Sequence, residues 1–407
     1  MANTLTIDDI SAVANKILAN AQGRPNEIIE DNTALTASTA DFTTIAQTAL
    51  LTGYDPLATA ISQVLSRTIF SYRPYNAKFR GLEKDAVKWG NHVRKLNPID
   101  KPLEVDNRLR KDDGTIYEDG DSADQYRISK PEVLQTNFYG SQTYQKSLTI
   151  WKDQLDTAFT GPEQFGNFLT MMMGNATDQL QQAREDLARG SIVNLIGGTY
   201  TLGNVWHVLT DYNTETGGSY TATTIMEPGN FADFYRWFVG KLQSIMDRMT
   251  ERTVLNHVNP FVDGNQKLIR RHTPRSMQHL YMFADFMNNA EAVAVSTTFH
   301  DDYLKKADFE KVNFWQNAAD PKAIDSTVNY LSAGSAEADS AITTAKFKNS
   351  TVIGILFDDE AAGINPINQW AQPTPFNARG GYYNQFWHET TRWYNDNTEN
   401  ALVICLD

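Results

Sequence analysis

The stretch from residue 76 to residue 135 carries dense charge of both signs and few apolar side chains. Short β-prone pieces alternate there with turn signals at Asp113-Gly114 and Asp119-Gly120. We interpret this stretch as a long two-stranded excursion with little core of its own. Because an isolated hairpin is marginal in water, the excursion is either a solvated loop or an arm that becomes ordered against another subunit.

The N-terminal segment also lacks an independent core. Residues 1–75 are interpreted as short amphipathic helices joined by polar linkers, one of them starting with Asp55 at a cap position and Pro56 at the first helical position. Each helix is too short to be stable alone. Segments of this kind are stabilised by burial between subunits, which favours an assembly protein over an enzyme.

The rest of the chain predicts a mixed body of helices and strands. The clearest helix spans residues 161–197, with apolar residues at three- and four-residue spacing and a stop at Gly197-Gly198. A second helix is predicted from a cap at Asn230 to Met249. The remaining predictions are strands at 279–284, 350–357, 381–391 and 401–406, a short helix at 301–306, a small-residue loop at 332–345 and a turn at 395–397.

Charge and cysteine content exclude several classes of protein. The chain has 36 basic and 49 acidic residues, and the net charge of −13 argues against broad, sequence-independent binding to nucleic acid. The single cysteine, Cys405, allows no internal disulfide and no cysteine-based zinc site. The N-terminal residues lack the pattern of a signal peptide, and no apolar run approaches the roughly 20 residues of a membrane span.

Motifs for catalysis are missing or incomplete. His388-Glu389 begins like a zinc-protease motif, but Arg392 stands where the second histidine belongs. The acidic turn at residues 118–124 lacks the spacing of a calcium loop, and no glycine-rich phosphate loop is present. We therefore predict no catalytic, cofactor-binding or metal site.

Charged residues supply two candidate sets of contacts instead. The first set lies in the excursion and would contact neighbouring subunits: Arg94, Arg108, Arg110, Lys111, Asp112, Asp113, Asp119 and Asp121. The second is a basic cluster that would face phosphate or an acidic neighbouring surface, or is simply a charged loop: Lys267, Arg270, Arg271 and Arg275.

The order of these parts resembles the major capsid protein of tailed bacteriophages, which has the Hong Kong 97-type fold. An N-terminal arm, a charged hairpin, a long helix and a mixed body that returns to a final strand follow one another along nearly the whole chain. Residues 135–140 (Gln-Thr-Asn-Phe-Tyr-Gly), with 145–148 and 152–159, resemble the end of the hairpin and the start of the long helix in one branch of these coats. Residues 378–389 and 400–403 resemble the return strands of that branch.

The resemblance implies an α+β fold with defined parts. These parts are an N-terminal arm at 1–75, an extended loop at 76–150, a peripheral domain at 151–254 with its spine helix at 161–197, an axial domain at 255–365, and strands at 366–407 that return to the peripheral domain. It also implies a non-enzymatic protein without cofactors that self-assembles into pentamers and hexamers of an icosahedral head around double-stranded DNA.

The implied partners are further copies of the chain, a separate scaffolding protein, a portal and decoration proteins, with DNA nearby but not bound specifically and no membrane. The implied location is the virion, assembled in the host cytoplasm. Two alternatives stay open. One is an encapsulin-type protein shell, and the other is a soluble hydrolase of glycans that uses carboxylates such as Asp358, Asp359 and Glu360.

Overall fold

The structure is a computed structural model, and it describes residues 79–82, 93–99, 111, 115–121, 132–154, 162–294 and 308–407. The chain divides into two compact units. The first comprises Gly140–Ser191, Gly363–Trp393 and the described residues before Gly90. The second comprises the described residues of Asn91–Tyr139, Ile192–Ala362 and Tyr394–Asp407. The predicted arm at 1–75 and the short helix at 301–306 lie outside the described residues, and the domain boundaries stay predictions.

A five-stranded sheet forms the core of the second unit. Its strands are β4 (Val205–His207), β7 (Gln278–Phe283), β8 (Asp308–Val312), β11 (Val352–Asp358) and β14 (Ala401–Cys405), in the order β4-β14-β11-β7-β8. The central strand β11 runs antiparallel to both β14 and β7. Every residue of β7, β11 and β14 is buried, as expected for strands built around the apolar runs Leu280–Phe283, Val352–Phe357 and Ala401–Cys405. The three predicted strands at 279–284, 350–357 and 401–406 are therefore confirmed.

Three helices of the second unit accompany this sheet, and two of them share a cluster of aromatic side chains. They are α2 (Val208–Thr216), α3 (Pro228–Met249) and α4 (Ala284–Ala294). Phe231, Phe234 and Phe238 of α3 are buried and pack on Phe286 of α4 at ring-centroid distances of 5.4–6.4 Å. The predicted start of α3 at Asn230 is wrong, because the helix already begins at Pro228, whose fixed φ suits the first helical position.

The long helix α1 spans Pro162–Thr201, so the predicted stop at Gly197-Gly198 is wrong. Both glycines lie inside the helix, where they allow close packing. A Cβ atom on Gly197 would lie 2.6 Å from Cγ1 of Val328, and one on Gly198 would lie 2.9 Å from Cβ of Tyr330. Here glycine reflects the approach of another element and does not end the helix.

That other element is a hairpin of β9 (Ile324–Leu331) and β10 (Ile342–Asn349), which pair antiparallel along their whole length. The predicted loop at 332–345 is therefore too long, since its last four residues belong to β10. Alternating exposed and half-buried residues in β10 form a strand with one solvated face. The sequence hides this alternation because an apolar residue, Ile342, lies on the solvated face and is 72% exposed. A second small hairpin, β5 (Phe261–Val262) with β6 (Asn265–Gln266), lies in the same unit.

The first unit contains a three-stranded sheet in the order β12-β13-β3. Its strands are β3 (Ser141–Trp151), β12 (Ala362–Pro373) and β13 (Tyr382–Asn395), and the last confirms the strand predicted at 381–391. Along β13 every second residue from Tyr383 to Thr391 is buried. On this inner face Glu389 accepts hydrogen bonds from Nε and Nη2 of Arg184 on α1, at 2.5 and 2.9 Å.

Strands β1 (Val93–Pro98) and β2 (Val133–Phe138) form the two-stranded part of the charged excursion, and they belong to the second unit. They pair antiparallel, from Val93 opposite Phe138 to Pro98 opposite Val133. The prediction that the chain leaves and returns as two paired strands is confirmed for these residues. Among the described residues, no helix is long and apolar enough to cross a membrane.

Candidate functional site

Half of the predicted contacts in the excursion lie among the described residues. Arg94 is exposed on β1, and Asp119 is exposed in a turn that Gly120 closes at a φ of 91°. Lys111 and Asp121 pair with each other at 2.5 Å. The Lys111 ammonium and the backbone N–H of Glu118 hold the pKa of Asp121 below its ordinary value. The other four lie outside the described residues: Arg108, Arg110, Asp112 and Asp113.

The predicted basic cluster does not form one cationic patch. Lys267 pairs with Glu132 at 2.7 Å, and Arg275 pairs with Asp247 at 2.8 Å. Arg271 contacts Glu399 at 2.9 Å. Three of the four cations therefore have a carboxylate of the same chain within 3 Å, and the fourth, Arg270, is exposed. Whether these residues meet a neighbouring subunit stays a prediction.

Within the described part of the chain, a dense group of charges centres on Lys95 of β1, a residue that is not among the predicted contacts. Its Nζ lies 3.0 Å from Oδ2 of Asp396, 2.5 Å from Oε1 of Glu399 and 3.1 Å from Oε2 of Glu360. Arg271 contacts the same oxygen of Glu399, so two cations face two buried carboxylates and the half-exposed Glu360. We call Lys95, Arg271, Asp396 and Glu399, with Glu360, the Lys95 cluster.

Burial and charge act in opposite directions on these groups. Burial alone would lower the pKa of Lys95, but the carboxylates of Asp396 and Glu399 outweigh it and hold the pKa above its ordinary value. Burial raises the pKa of Glu399 to about 7, against the opposing effect of Lys95 and Arg271. Lys95 therefore stays an ammonium ion, which makes it an ion-pair partner and unsuited to act as a nucleophile or base.

The carboxylates of the cluster lie in a polar segment that the body holds in place. All of the residues Asp396–Asn400 are buried, although each has a polar side chain. The backbone N–H and the hydroxyl of Thr398 both donate to Oδ1 of Asp396, at 2.9 and 2.6 Å. This hydrogen-bonded turn fixes one oxygen of Asp396 and leaves the other directed at Lys95. We call residues 396–400 the polar turn.

Backbone hydrogen bonds attach the polar turn to its surroundings. Asp396 N–H donates to the carbonyl of Ala361, and the carbonyl of Asn397 accepts from Val258 N–H, at 2.7 and 2.8 Å. The carbonyl of Asn400 accepts from Asp358 N–H at 2.8 Å. Because such bonds leave the turn few alternative conformations, they hold its carboxylates in place beside Lys95.

Strand β2 has anchors of its own in the same unit. The ring of Phe138 lies 5.4 Å from that of Tyr394, whose pKa burial raises to about 12. At the other end of β2, the adjoining Glu132 pairs with Lys267. Both strands of the excursion are therefore fixed to the body by side-chain contacts.

The carboxylates of the hydrolase alternative have separate structural partners. Asp358 is buried and accepts a hydrogen bond from the hydroxyl of Thr273 at 2.6 Å. Asp359 contacts Nε2 of His279 at 2.6 Å, and Glu360 belongs to the Lys95 cluster. In the part of the chain that the structure describes, no group of three or more His, Cys, Asp or Glu residues could hold a metal ion.

Most of the chain matches one known protein family. Residues 26–405 match the family model for Phi29-like phage major capsid protein. The chain belongs to this family. The capsid protein is thus a structural protein of a phage virion, as the resemblance in the sequence predicted. No curated protein matches it by sequence.

Three solved phage structures that match the capsid protein illustrate the range of similarity, and one of them has a TM-score above 0.5. The capsid structure of Staphylococcus phage Andhra matches with a TM-score of 0.53 at 9% identity, over 82% of this chain and 84% of that chain. A structure of the head fiber and inner core protein gp22 of native bacteriophage P68 gives 0.49 at 9% identity, over 82% and 85%. The capsid structure of the cyanophage P-SCSP1u gives 0.44 at 12% identity, over 82% and 89%. The Andhra match shows a phage capsid-like fold.

Sequence reasoning missed the Lys95 cluster for a physical reason. Alternation along β1 places Lys95 and Asn97 on one face, and a run of polar residues between two apolar strands marks the polar turn. These two signals were available locally. The contact between β1 and the polar turn cannot be predicted locally, because Lys95 and Glu399 lie 304 positions apart in the sequence.

Proposed function

We propose that this capsid protein self-assembles into pentamers and hexamers of an icosahedral phage head that encloses double-stranded DNA. The observation that carries the proposal is the family match over residues 26–405. The capsid fold shared with the Andhra structure supports it, since many copies of one chain have to build the shell. The chain then acts as a building block and needs neither a catalytic residue nor a cofactor.

The finer architecture is part of the same proposal. The order of paired strands, long helix, mixed body and final strand supports a Hong Kong 97-type fold with peripheral and axial domains. In that fold residues 1–75 form the arm, residues 76–150 lie over the adjacent subunit, and residues 366–407 return to the peripheral domain. The exposed side chains of Arg94 and Asp119 suit contacts with such a neighbour.

The partners and location follow from this role. A separate scaffolding protein guides assembly in the host cytoplasm, and the finished virion adds a portal and decoration proteins. Packaged DNA lies nearby without specific binding, which suits a chain of net charge −13 whose cations Lys267, Arg271 and Arg275 are paired with its own carboxylates.

Electron microscopy of the purified full-length chain tests the proposal, with and without a co-expressed phage scaffolding protein. We expect closed shells with five- and six-fold capsomers. Val403→Asp is the control for irregular aggregates, because a charge on this fully buried residue prevents the five-stranded sheet from forming. A chain that folds but stays monomeric in both conditions would contradict the proposal.

A further inference from the structure

The two faces of β1 differ sharply in what surrounds them. Arg94, Leu96 and Pro98 are exposed, whereas Asn97 is buried and the Lys95 side chain is only 17% exposed. Because side chains alternate along a strand, β1 turns one face to solvent and the other to the polar turn. Asn97 Nδ2 reaches Oγ1 of Thr398 at 3.5 Å, beside the Lys95 contacts.

From this we propose that the polar turn 396–400 is a socket for the base of the excursion and that Lys95 is the positioning residue that fixes the direction in which β1 and β2 leave the body. The inference rests on the proposed function, in which the excursion contacts neighbouring copies. It goes further by naming the intramolecular contact that holds the excursion ready for assembly.

Preorganisation of the turn supports this role. The carboxylates of Asp396 and Glu399 are held by a segment with its own backbone hydrogen bonds, so Lys95 docks into a site that exists without it. Three carboxylates approach Lys95 Nζ within 3.1 Å, and they come from two separate stretches of chain, Glu360 and the polar turn. An ammonium group that is contacted from several sides has little freedom to shift. Because Lys95 belongs to β1, the position of the strand is restricted as well.

Charge balance explains why Lys95 orients β1 more than it stabilises the folded chain. A buried ion pair adds little net stability compared with apolar packing, yet removing one partner strands a buried charge. Lys95 and Arg271 together match Asp396 and Glu399. Without Lys95 the buried Asp396 would lose the cation beside it, and β1 would lose its charged contact with the turn.

Hydrogen exchange on the unassembled full-length chain tests the positioning role directly. In Lys95→Met we expect exchange of the amides of β1 and β2 to rise at least tenfold, while β11 and β14 stay within about twofold of the wild type. Lys348→Met is the matched control, because Lys348 also pairs with an aspartate, Asp325, but both side chains are mostly exposed. It should leave exchange unchanged throughout.

A double variant separates positioning from a loss of folding. Lys95→Met with Glu399→Gln removes the cation together with the buried carboxyl group that it contacts at 2.5 Å, so it should keep the body folded while β1 and β2 still exchange at least tenfold faster. Under microscopy it should form few regular shells under conditions where the wild type and Lys348→Met form many.

Two results would overturn the inference. One is an equal rise of exchange in all strands of the double variant, which would make Lys95 a general stabilising residue. The other is unchanged exchange in β1 and β2, which would mean that the socket does not hold them. Both are read on unassembled chain, so they are distinct from a failure of the wild type to form shells, which would count against the proposed function alone.

Discussion

At the residue scale, Cys405 is a buried thiol at the end of β14. It is fully buried, and burial raises its pKa to about 12, with the nearby Asp407 acting in the same direction. Because the thiolate is the reactive form, we expect no reaction of the native chain with a thiol reagent at pH 8 and one equivalent after unfolding in urea. Since the chain has a single cysteine, the absorbance of the released reporter reads this residue alone.

The same thiol makes stability depend on alkaline pH. The ordinary pKa is 9.0 and the folded value about 12, so the folded state keeps its proton after the unfolded state has lost it. Its contribution is complete below pH 9 and is lost as pH rises from about 9 to about 12. At pH 10 the loss is roughly 1.4 kcal/mol, one pKa unit.

Urea unfolding of the wild type and Cys405→Ala at pH 7 and pH 10 measures this loss. The alanine variant lacks the titrating thiol, so the difference in stability between the two chains should shrink by that amount at the higher pH. A constant difference at the two values would show that Cys405 does not titrate in this way.

The side-chain amide of Asn194 on α1 makes two hydrogen bonds with the backbone of β9, one as donor and one as acceptor. Its Nδ2 donates to the carbonyl of Asn329 at 2.9 Å, and its Oδ1 accepts from the N–H of Asn329 at 2.7 Å. Replacing it by aspartate leaves one hydrogen bond and sets a carboxylate oxygen against a carbonyl. We expect Asn194→Asp to cost about 2–3 kcal/mol and Asn194→Ala about 1–2 kcal/mol.

Urea unfolding at pH 7 ranks these two variants. Lowering the pH to 4 should narrow the gap, because a protonated aspartate can donate to the carbonyl of Asn329 again. An aspartate variant as stable as the alanine variant at pH 7 would show that the paired geometry contributes little.

At the element scale, α1 and the β9–β10 hairpin depend on a glycine contact. The chain offers a matched pair of substitutions within one helix. A Cβ on Gly190 would meet no atom within 4 Å, so Gly190→Ala should stabilise the chain by about 0.5–1 kcal/mol through helix propensity alone. Gly197→Ala gains the same propensity but collides with Val328 and Phe347, and we expect a net loss of about 2 kcal/mol.

Thermal unfolding of both variants checks this contrast, and Gly197→Ala combined with Val328→Ala tests its cause. The second substitution opens space for the new methyl group, so the pair should lose less than the sum of the two single losses. Strict additivity would mean that the overlap with Val328 is not the source of the loss.

These elements also show how far the sequence predicts the fold. Strands β7, β11 and β14 are built around apolar runs, and α1 and α3 repeat apolar residues with helical spacing, so local patterns are sufficient to predict them. Gly197-Gly198 was misinterpreted because a glycine that ends a helix and a glycine that admits a neighbour look alike locally. The contact that distinguishes them comes from Val328, far along the chain.

The candidate site was less predictable than the fold for the same reason. Charge density marks the excursion, and Lys111 and Asp121, which are predicted to contact neighbouring subunits, pair with each other within the chain. Their contacts with neighbouring subunits stay a prediction. What fixes its base is the meeting of β1 with residues 360 and 396–400, which no short window contains. A charged residue in sequence predicts an ion pair, but its partner depends on the topology of the chain.

At the scale of the whole molecule, the distribution of charge sets how the protein behaves beside nucleic acid. The net charge is −13, and Lys267, Arg271 and Arg275 are each within 3 Å of a carboxylate. Binding to DNA without sequence preference requires cations that displace counterions from phosphates. Cations that are already paired with the chain's own carboxylates displace few counterions, so they add little to the free energy of binding. The other acidic residues of the chain repel the phosphates.

We therefore expect the full-length chain to leave a DNA duplex unretarded in a gel at 0.15 M salt and at 0.05 M salt. The variant Glu132→Lys with Asp247→Lys frees Lys267 and Arg275 and adds two further cations, since these acids are their partners. It should retard the duplex at 0.05 M salt and release it at 0.15 M, because binding through phosphates weakens steeply with salt. If the wild type retards the duplex at 0.05 M salt and releases it at 0.15 M, its cations are available to DNA and the expectation is wrong. A shell built from such a chain would bind the packaged DNA electrostatically instead of only enclosing it.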